Sequence, residues 1–469
     1  MSHILTFDLG TTYFKVCLFD DTGRLIAVRR TAPPIVQFKD ERCELPTEGF
    51  RQVLTEVVLD LGRSVKDGLS DVVAISFATQ ANSFVLLDDQ DQPLTPIIMW
   101  PDNRACPTEP LIDELSHMDG FYQTTGIPQM SGQFMPAKLL WLKKHEPGVW
   151  SRAKRVCLIS DYLTLWMTGQ HVTEAGTAGL TGLMNIHKVQ WWPEACQRIS
   201  IPDAWLPKVT RAGTDIGQVN QEIAEVWGLP PGCRFVVGCL DQYAGAIGAG
   251  NVLPGGVSET TGTVLATVRS ADRFDPNTLN GIFQGPGHDA QTWYQMVFGD
   301  TSANLLAAYR NSLPGWPGFE ALCDLASKIP PGCNGLRVGG SDPPGIDPVF
   351  VGLTEQHTTG HHVRAILEAV AYALEEQLNT LCGGDRPALI RSVGGAARSD
   401  LWLQIKADVL GLTVQATACS EPTSLGAAII AAANLLNVSI TTIAGRWVRL
   451  RSREGRQPTT DTHRLYADR

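Results

Sequence analysis

Asp8-Leu9-Gly10-Thr11-Thr12, with Lys15 shortly after, places a carboxylate at the end of an apolar run and a small hydroxyl-bearing turn behind it. Glycine lets the backbone approach an anion closely. Successive turn N–H groups form an anion nest, and the threonines add hydroxyl donors. A carboxylate in this position can hold Mg²⁺ beside phosphates, directly or through water. Read alone, the segment equally suits a tight hairpin with a polar tip. It is not a Walker loop, which needs Gly-Lys-Ser/Thr opening a helix. Thr260-Thr261-Gly262-Thr263 repeats the pattern further on. By the same logic it can grip a phosphate from the opposite side.

Asp241 ends a second apolar strand and precedes the small-residue run Ala244–Gly250. A carboxylate there would be partly desolvated, which favours a raised pKa and general-base work. It also suits an ordinary helix N-cap, and the two roles are compatible. Gly394-Gly395-Ala396-Ala397-Arg398-Ser399 offers a glycine surface between a strand and a helix. That surface suits a flat ring lying on the backbone, and equally a plain connection. Gln80, Asn82, Trp100, Asp102 and Arg104 gather donors, acceptors and one aromatic face around strand ends. A polyhydroxylated pocket needs that mixture; solvated loops would show it too.

The elements that must carry these groups come in two rounds. Ile4–Phe7, Phe14–Phe19 and Leu25–Arg30 read as strands joined by tight turns, Asp21-Thr22-Gly23 among them. A helix follows at Glu48–Lys66, then a buried strand at Val72–Phe77. Phe84–Asp88 pairs with a further strand through the turn Asp89–Gln92. Helices are expected over Pro136–Lys144 and from Ser160, with Ser160 as N-cap, to Gly169. Near residue 240 the order strand, polar turn, strand starts again, about 250 residues after the first copy, which suggests two similar domains. Val363–Leu381 shows apolar residues at spacings of three and four. Strand Leu389–Val393, helix Asp400–Leu410, strand Thr413–Gln415 and a buried helix from Ser424 follow. Arg451–Arg469 is polar and charged and reads as a poorly ordered tail.

The bulk properties bound these readings. A chain of 469 residues exceeds one ordinary core. At 43% hydrophobic and 18% charged it has globular composition. A net charge of −10 argues against non-specific nucleic-acid binding and against anionic membranes. The 11 cysteines show no CxxC pairs or ligand spacing, as expected of reduced thiols in a cytoplasmic protein. The N-terminal residues do not read as a secretory signal, and Ala427–Leu436 is too short for a membrane span.

Taken in order, the segments resemble the FGGY carbohydrate kinases over nearly the whole chain, from about Leu5 to Asn434. ILTFDLGTTYFKVCLFD resembles that family's opening phosphate hairpin, and VGCLDQYAGAIGAG its catalytic-aspartate segment. FVGLTEQHTTGHHVRAILEAVAYAL resembles its C-terminal signature, and SVGGAARSDLWLQIKADVLGLTV its adenine-side segment. The resemblance implies an α/β, two-domain actin-like (ribonuclease H-like) ATPase fold with an interdomain cleft. Linear boundaries at 1–243, 244–440 and a C-terminal extension at 441–469 are expected. It implies ATP and Mg²⁺ as cofactors and a small sugar as substrate. Asp241 would be the general base, with Gln242 beside it on the sugar side, and Asp8 would lie near the metal. Gly10, Thr11, Thr12, Lys15, Thr261, Gly262 and Thr263 would surround the phosphates, with Gly394, Gly395 and Arg398 near the nucleotide. Closure of the domains would exclude water. Homodimers are common in the family, so a homodimer is a partner to test for.

Within the family, VLLDDQDQPLTPIIMWPDNR is most similar to the xylulokinase branch, which implies Trp100, Asp102 and Arg104 on the sugar side. That branch usually carries Gln-Met-His-Gly where this chain has Gln80-Ala81-Asn82-Ser83, so Asn82 replaces the histidine that would meet the sugar. Glu259 brings a negative charge to the second phosphate turn. Met135 stands where Ser or Thr is usual, Gly339–Pro348 lacks an Arg-Thr-Pro stretch, and Pro348 and His362 are also off-pattern. The implied reaction is ATP-dependent phosphorylation of a sugar hydroxyl, a ketose first. Alternative acceptors are another polyol, a deoxyketose, an aldonate or an autoinducer-type molecule. A non-catalytic sugar sensor and an actin-like ATPase are the rival classes.

Overall fold

Apolar runs bounded by turn residues become the central strands of a first compact unit, comprising Met1–Gly248, Ala271–Gln295 and Thr423–Trp447. The computed structural model describes residues 2–39, 41–262, 264–278, 281–339 and 348–467. Thr263 and most of the Gly339–Pro348 stretch therefore lie outside the described residues.

In this unit His3–Leu9 pairs antiparallel with Phe14–Phe19, which pairs antiparallel with Leu25–Thr31. On its other side His3–Leu9 runs parallel to Val72–Thr79. Arg234–Val236 and Cys239–Leu240 both run parallel to Val72–Thr79, and Asp215–Gln218 adds an antiparallel strand beyond Arg234–Val236. The central strands are buried on both faces, which is why they read as near-continuous apolar runs rather than alternating ones. Phe7, Phe77 and Phe235 lie in the core beneath the helix Thr47–Ser64. That helix turns Phe50, Leu54, Val57, Val58 and Leu61 inward at helical spacing. A second sheet in the same unit runs Val36–Gln37, Cys43–Leu45, Ile97–Ile98, Phe84–Leu87 and Arg155–Leu158.

One local expectation is met and one changes here. Phe84–Leu87 does pair with the next strand after the 89–92 turn: Leu87 bridges to Pro93 and Phe84 lies antiparallel to Ile98. The helix Ile159–Thr168 is capped by Asp161, whose Oδ2 accepts from the Leu158 N–H at 2.9 Å, so Ser160 is not the cap. The longer carboxylate reaches back across the first turn. The compact units interleave along the chain: Ala271–Gln295 and Thr423–Trp447 belong with the N-terminal residues.

The second unit comprises Ala249–Ser270, Met296–Pro422 and Val448–Arg469. Val257–Thr261 lies between antiparallel Leu265–Ala271 and parallel Leu389–Val393, and Thr413–Ala416 continues the sheet. Thr260 and Thr261 thus belong to the strand, and the turn itself begins at Gly262. The helices Thr359–Cys382 and Asp400–Leu410 share an apolar core through Ile366, Val370, Trp402 and Ile405. The C-terminal stretch is structured as far as Ala467, contrary to its polar composition. Leu450 and Arg456 bridge to Thr417 and Val414, and Thr460–Ala467 is a helix. Its Tyr466 is buried, with the hydroxyl 2.7 Å from Glu368 Oε1 and 3.0 Å from an Arg364 guanidinium nitrogen. One buried aromatic outweighs the polar residues around it. Among the described residues no helix is long and apolar enough to cross a membrane.

Candidate active site

Three parallel strands of the first unit end side by side. Leu9 and Leu240 both lie opposite Thr79, so Gly10, Gln80 and Asp241 leave the sheet at one edge. The outer rim of parallel strand ends is where open α/β sheets bind ligands. Asp8 sits inside its strand rather than after it, opposite Lys15 across the hairpin. The Lys15 ammonium donates to Asp8 Oδ2 at 3.1 Å, an ion pair with most of the carboxylate buried.

Asp241 opens the helix Asp241–Gly248, and its Oδ1 accepts from the Gln242 N–H at 2.7 Å. Burial pushes its carboxyl up to about 7; the Asp8 charge adds to the rise, while the Gln242 N–H and Lys15 oppose it. A carboxylate poised near neutrality is suited to accepting a proton from a hydroxyl. The helix can seat deeply because its residues are small. A Cβ on Gly426 would lie 1.9 Å from the Ala244 carbonyl oxygen, so the two helices meet backbone to backbone. Glu174, buried beneath, accepts from the N–H groups of Gly176 and Thr177 and from Leu240, the residue before Asp241.

The five polar groups expected around a sugar divide into two sets. Thr11, Gln80 and Trp100 form one chain: the Trp100 indole N–H donates to Thr11 Oγ1 at 2.7 Å, and Thr11 Oγ1 donates to Gln80 Oε1 at 2.7 Å. Gln80 Nε2 and Gln242 Oε1 are buried with no hydrogen-bond partner among the described residues. The other set is committed to protein. Asn82, at φ 61°, donates to the Leu180 carbonyl and accepts from the Met135 N–H, both at 3.0 Å. The off-pattern Met135 thus receives its cap from the off-pattern Asn82. Asp102 is fully buried, accepting from the Cys43 N–H at 2.6 Å and from Arg104 Nε at 2.7 Å. Burial alone would raise its pKa, but the hydrogen bonds and charge of Arg104 and the Cys43 N–H hold it below the usual carboxylate range. Arg104 also pairs with Glu44 and stacks over Trp141. Asp102 and Arg104 therefore brace the pocket wall from within, with the Asp102 carboxylate and the Arg104 guanidinium turned to protein.

In the second unit a cavity of about 1410 Å³ is lined by Thr261, Gly262, Asn304, Cys323, Gly395, Arg398 and Trp402 among others. The second turn and the Gly395–Arg398 segment, far apart in sequence, thus share one cavity. Gly394 and Arg398 also line a smaller neighbouring space of about 250 Å³. Gly394 has φ +85°, and a Cβ there would lie 2.9 Å from the Thr261 carbonyl oxygen. Only glycine tolerates both conditions. The charge of Glu259 does not reach the cavity. Lys406 Nζ lies 2.6 Å from Glu259 Oε1 and 2.8 Å from Thr261 Oγ1, and Thr261 Oγ1 donates to Glu259 Oε2 at 2.7 Å. Ser392 Oγ donates to the same carboxylate, and the Lys406 and Glu259 side chains are wholly buried.

Sequence reasoning missed Lys406, Lys138 and the Ser302–Asn304 wall. Lys406 was detectable: it interrupts the stripe Trp402, Ile405, Val409 on an otherwise apolar helix face. Lys138, also wholly buried, donates to the carbonyls of Met99 and Trp100 at 2.8 Å each. Burial lowers its pKa to about 7, against the pull of Asp102. Ser302 donates to the Gly262 carbonyl at 2.8 Å; a small polar run opening a helix is too common a pattern to single it out.

Comparison with known proteins agrees with this arrangement. Residues 3–248 match the model of the N-terminal domain of the FGGY family of carbohydrate kinases, and residues 229–435 that of its C-terminal domain. The xylulose kinase of Lactococcus lactis is 29% identical over 449 residues, covering 92% of this chain and 88% of that protein. The gluconokinase of Bacillus subtilis is 27% identical over 454 residues, covering 92% and 87%. The crystal structure of a ligand-bound xylulose kinase from Lactobacillus acidophilus superposes with a TM-score of 0.88 at 24% identity, covering 100% of this chain and 96% of that one. With both domain models matched in order, and with the two-domain actin-like α/β fold they share, the chain belongs to the FGGY family of carbohydrate kinases, phosphotransferases that act on an alcohol group.

Proposed function

We propose that this protein transfers the γ-phosphoryl group of ATP to a hydroxyl of a small sugar, with Asp241 as general base. The observation that carries the reading is Asp241 itself, at the rim of three parallel strands, with a carboxyl raised to about 7 by burial and by Asp8. It takes the hydroxyl proton as the oxygen attacks phosphorus in line. Gly10 and Thr12 of the first turn, and Gly262 of the second, donate to phosphate oxygens; Thr263 belongs to this proposal by its place in the motif. Gly394, Gly395 and Arg398 take the nucleotide. Little covalent chemistry remains for the protein, so positioning and electrostatics carry the rate.

Among the described residues no group of three His, Cys, Asp or Glu side chains is arranged to hold a metal ion. The Asp8 carboxylate, held in its strand with a lysine opposite, fits Mg²⁺, which keeps water and phosphate oxygens and needs only one or two protein carboxylates. Asp8 would hold it, and the ion would neutralise phosphate charge.

The acceptor follows from the relatives only as a class. A xylulose kinase at 29% identity and a gluconokinase at 27% are too close to separate. A ketose of the xylulose type is the first candidate, because Trp100 and its flanking sequence follow that branch. An aldonate is the second. The test is ADP release with D-xylulose, D-gluconate, other ketoses and polyols as acceptors. Turnover that requires one of them, and that Asp241→Asn abolishes while ATP binding persists, supports the proposal. ATP hydrolysis at the same rate with and without every acceptor would refute it.

A further inference from the structure

We infer that Thr11 serves the acceptor sugar rather than the phosphates, by fixing Gln80 as a hydrogen-bond donor to a substrate oxygen. The inference rests on the kinase reading and reassigns one residue of the first turn.

The bonding capacities leave Thr11 little choice. An indole N–H only donates, so Thr11 Oγ1 is the acceptor in its 2.7 Å contact with Trp100. The single hydroxyl proton is then directed to Gln80 at 2.7 Å, and the amide atom facing it is Oε1. A hydroxyl engaged on both sides has no proton left for a phosphate oxygen. The same bond sets the orientation of the Gln80 amide. With Oε1 held by Thr11, the Nε2 group points away from the hairpin, buried and without a partner among the described residues. Gln80 is 5% exposed. A buried amide N–H₂ that lacks an acceptor is costly, and a ligand oxygen satisfies it.

The frame behind this chain is rigid. The Trp100 backbone N–H donates to Ser83 Oγ at 2.8 Å, and the buried Lys138 holds the Met99 and Trp100 carbonyls. Gln80 follows Thr79, which lies opposite Leu240, so Gln80 and Asp241 leave the sheet side by side. The ligand atom is therefore an acceptor near the attacking hydroxyl: a carbonyl, carboxylate or hydroxyl oxygen of the sugar. Gln80 is the contact residue; Thr11 and Trp100 are positioning residues.

The test compares wild type with Gln80→Glu, Thr11→Val, Thr11→Ser and Trp100→Phe. Steady-state kinetics use MgATP and D-xylulose, or D-gluconate where wild type selects it. Calorimetry measures binding of that sugar alone and of MgATP alone. Gln80→Glu still accepts from Thr11 but offers the ligand an oxygen in place of N–H₂. It is expected to weaken sugar binding about tenfold or more, with the KM for ATP within about threefold of wild type. Thr11→Val should raise the sugar KM roughly tenfold and Trp100→Phe by a smaller factor, while Thr11→Ser restores wild-type values. If Thr11→Val raises the ATP KM and leaves the sugar KM unchanged, Thr11 is a phosphate ligand and the inference fails. It fails equally if Gln80→Glu leaves sugar affinity within twofold. Should Thr11→Val not fold, the near-isosteric Gln80→Glu decides alone. A wild type whose ATP turnover responds to no acceptor of the panel overturns the kinase reading before any variant is made, so the two failures are distinct.

Discussion

Lys406→Met offers a direct measure of what supports the second turn. Lys406 and Glu259 are both wholly buried, 2.6 Å apart, and Thr261 completes the cluster between them. Methionine matches the aliphatic stem of lysine but removes the cation. The Glu259 carboxylate then keeps two hydroxyl donors, Ser392 and Thr261, and no positive charge. Breaking a buried pair by removing one partner costs about 3–5 kcal/mol. The unit that contains it has roughly 170 residues, for which each kcal/mol shifts the melting temperature by about 2–4 °C. Thermal unfolding followed by circular dichroism at pH 7.5 should therefore show a transition lowered by about 6–20 °C. Glu259→Gln combined with Lys406→Met removes both charges and should recover most of the loss, since a neutral replacement of a buried pair is often close to neutral in stability. A drop below about 2 °C for the single variant would falsify the view that the pair stabilises the turn. A double variant as unstable as the sum of both singles would show that the two charges do not act together.

Four further outcomes can be checked. With the Asp241 carboxyl raised to about 7, kcat/KM for the sugar should rise about tenfold per pH unit below that value and level off above it; a flat profile from pH 5 to 8 refutes the general-base role. The same group sits above its unfolded pKa, so the native state holds a proton that the unfolded chain releases, and its stability cost grows as pH rises from about 4 to about 7. Asp241→Asn should thus raise the melting temperature at pH 8 and raise it less at pH 5; a larger gain at pH 5 contradicts the sign. Gly426→Ala places a Cβ 1.9 Å from the Ala244 carbonyl and should cost about 1–3 kcal/mol by overpacking, with turnover falling because the Asp241 helix shifts; unchanged stability and turnover refute the close contact. Tyr466→Phe removes the hydroxyl between Glu368 and Arg364 and should cost about 1–2 kcal/mol in denaturant unfolding, whereas a truly loose tail would show no change.

Much of the scaffold could be read from the chain because its signals are local. Leu389–Val393 and Asp400–Leu410 have the bounds that their apolar spacing indicates, and the Asp241 helix begins where a capping carboxylate meets small residues. What stayed hidden depends on partners distant in sequence. Glu259 looked like an unbalanced charge because its cation is 147 residues away. The partners of Asn82 and Asp102 stayed hidden because side-chain type says nothing about which backbone groups will reach them. The tail looked disordered because composition averages over the one tyrosine that anchors it. Thr11 and Gln80 were both singled out, but only geometry ties them into one hydrogen-bond chain.

The interleaved order of the units has a consequence for how the protein is made. Residues Thr423–Trp447 belong to the first compact unit but leave the ribosome after nearly all of the second. Gly426 is the surface on which the Asp241 helix rests. During synthesis the N-terminal sheet can form early, since its hairpin is local, while the helix that starts at the proposed base waits about 180 residues for its packing partner. A nascent chain stalled before residue 423 carries Asp8, Gln80 and Asp241 and yet lacks the support that seats Asp241. The seating of the proposed base is in this sense deferred until residues 423–447 have been made.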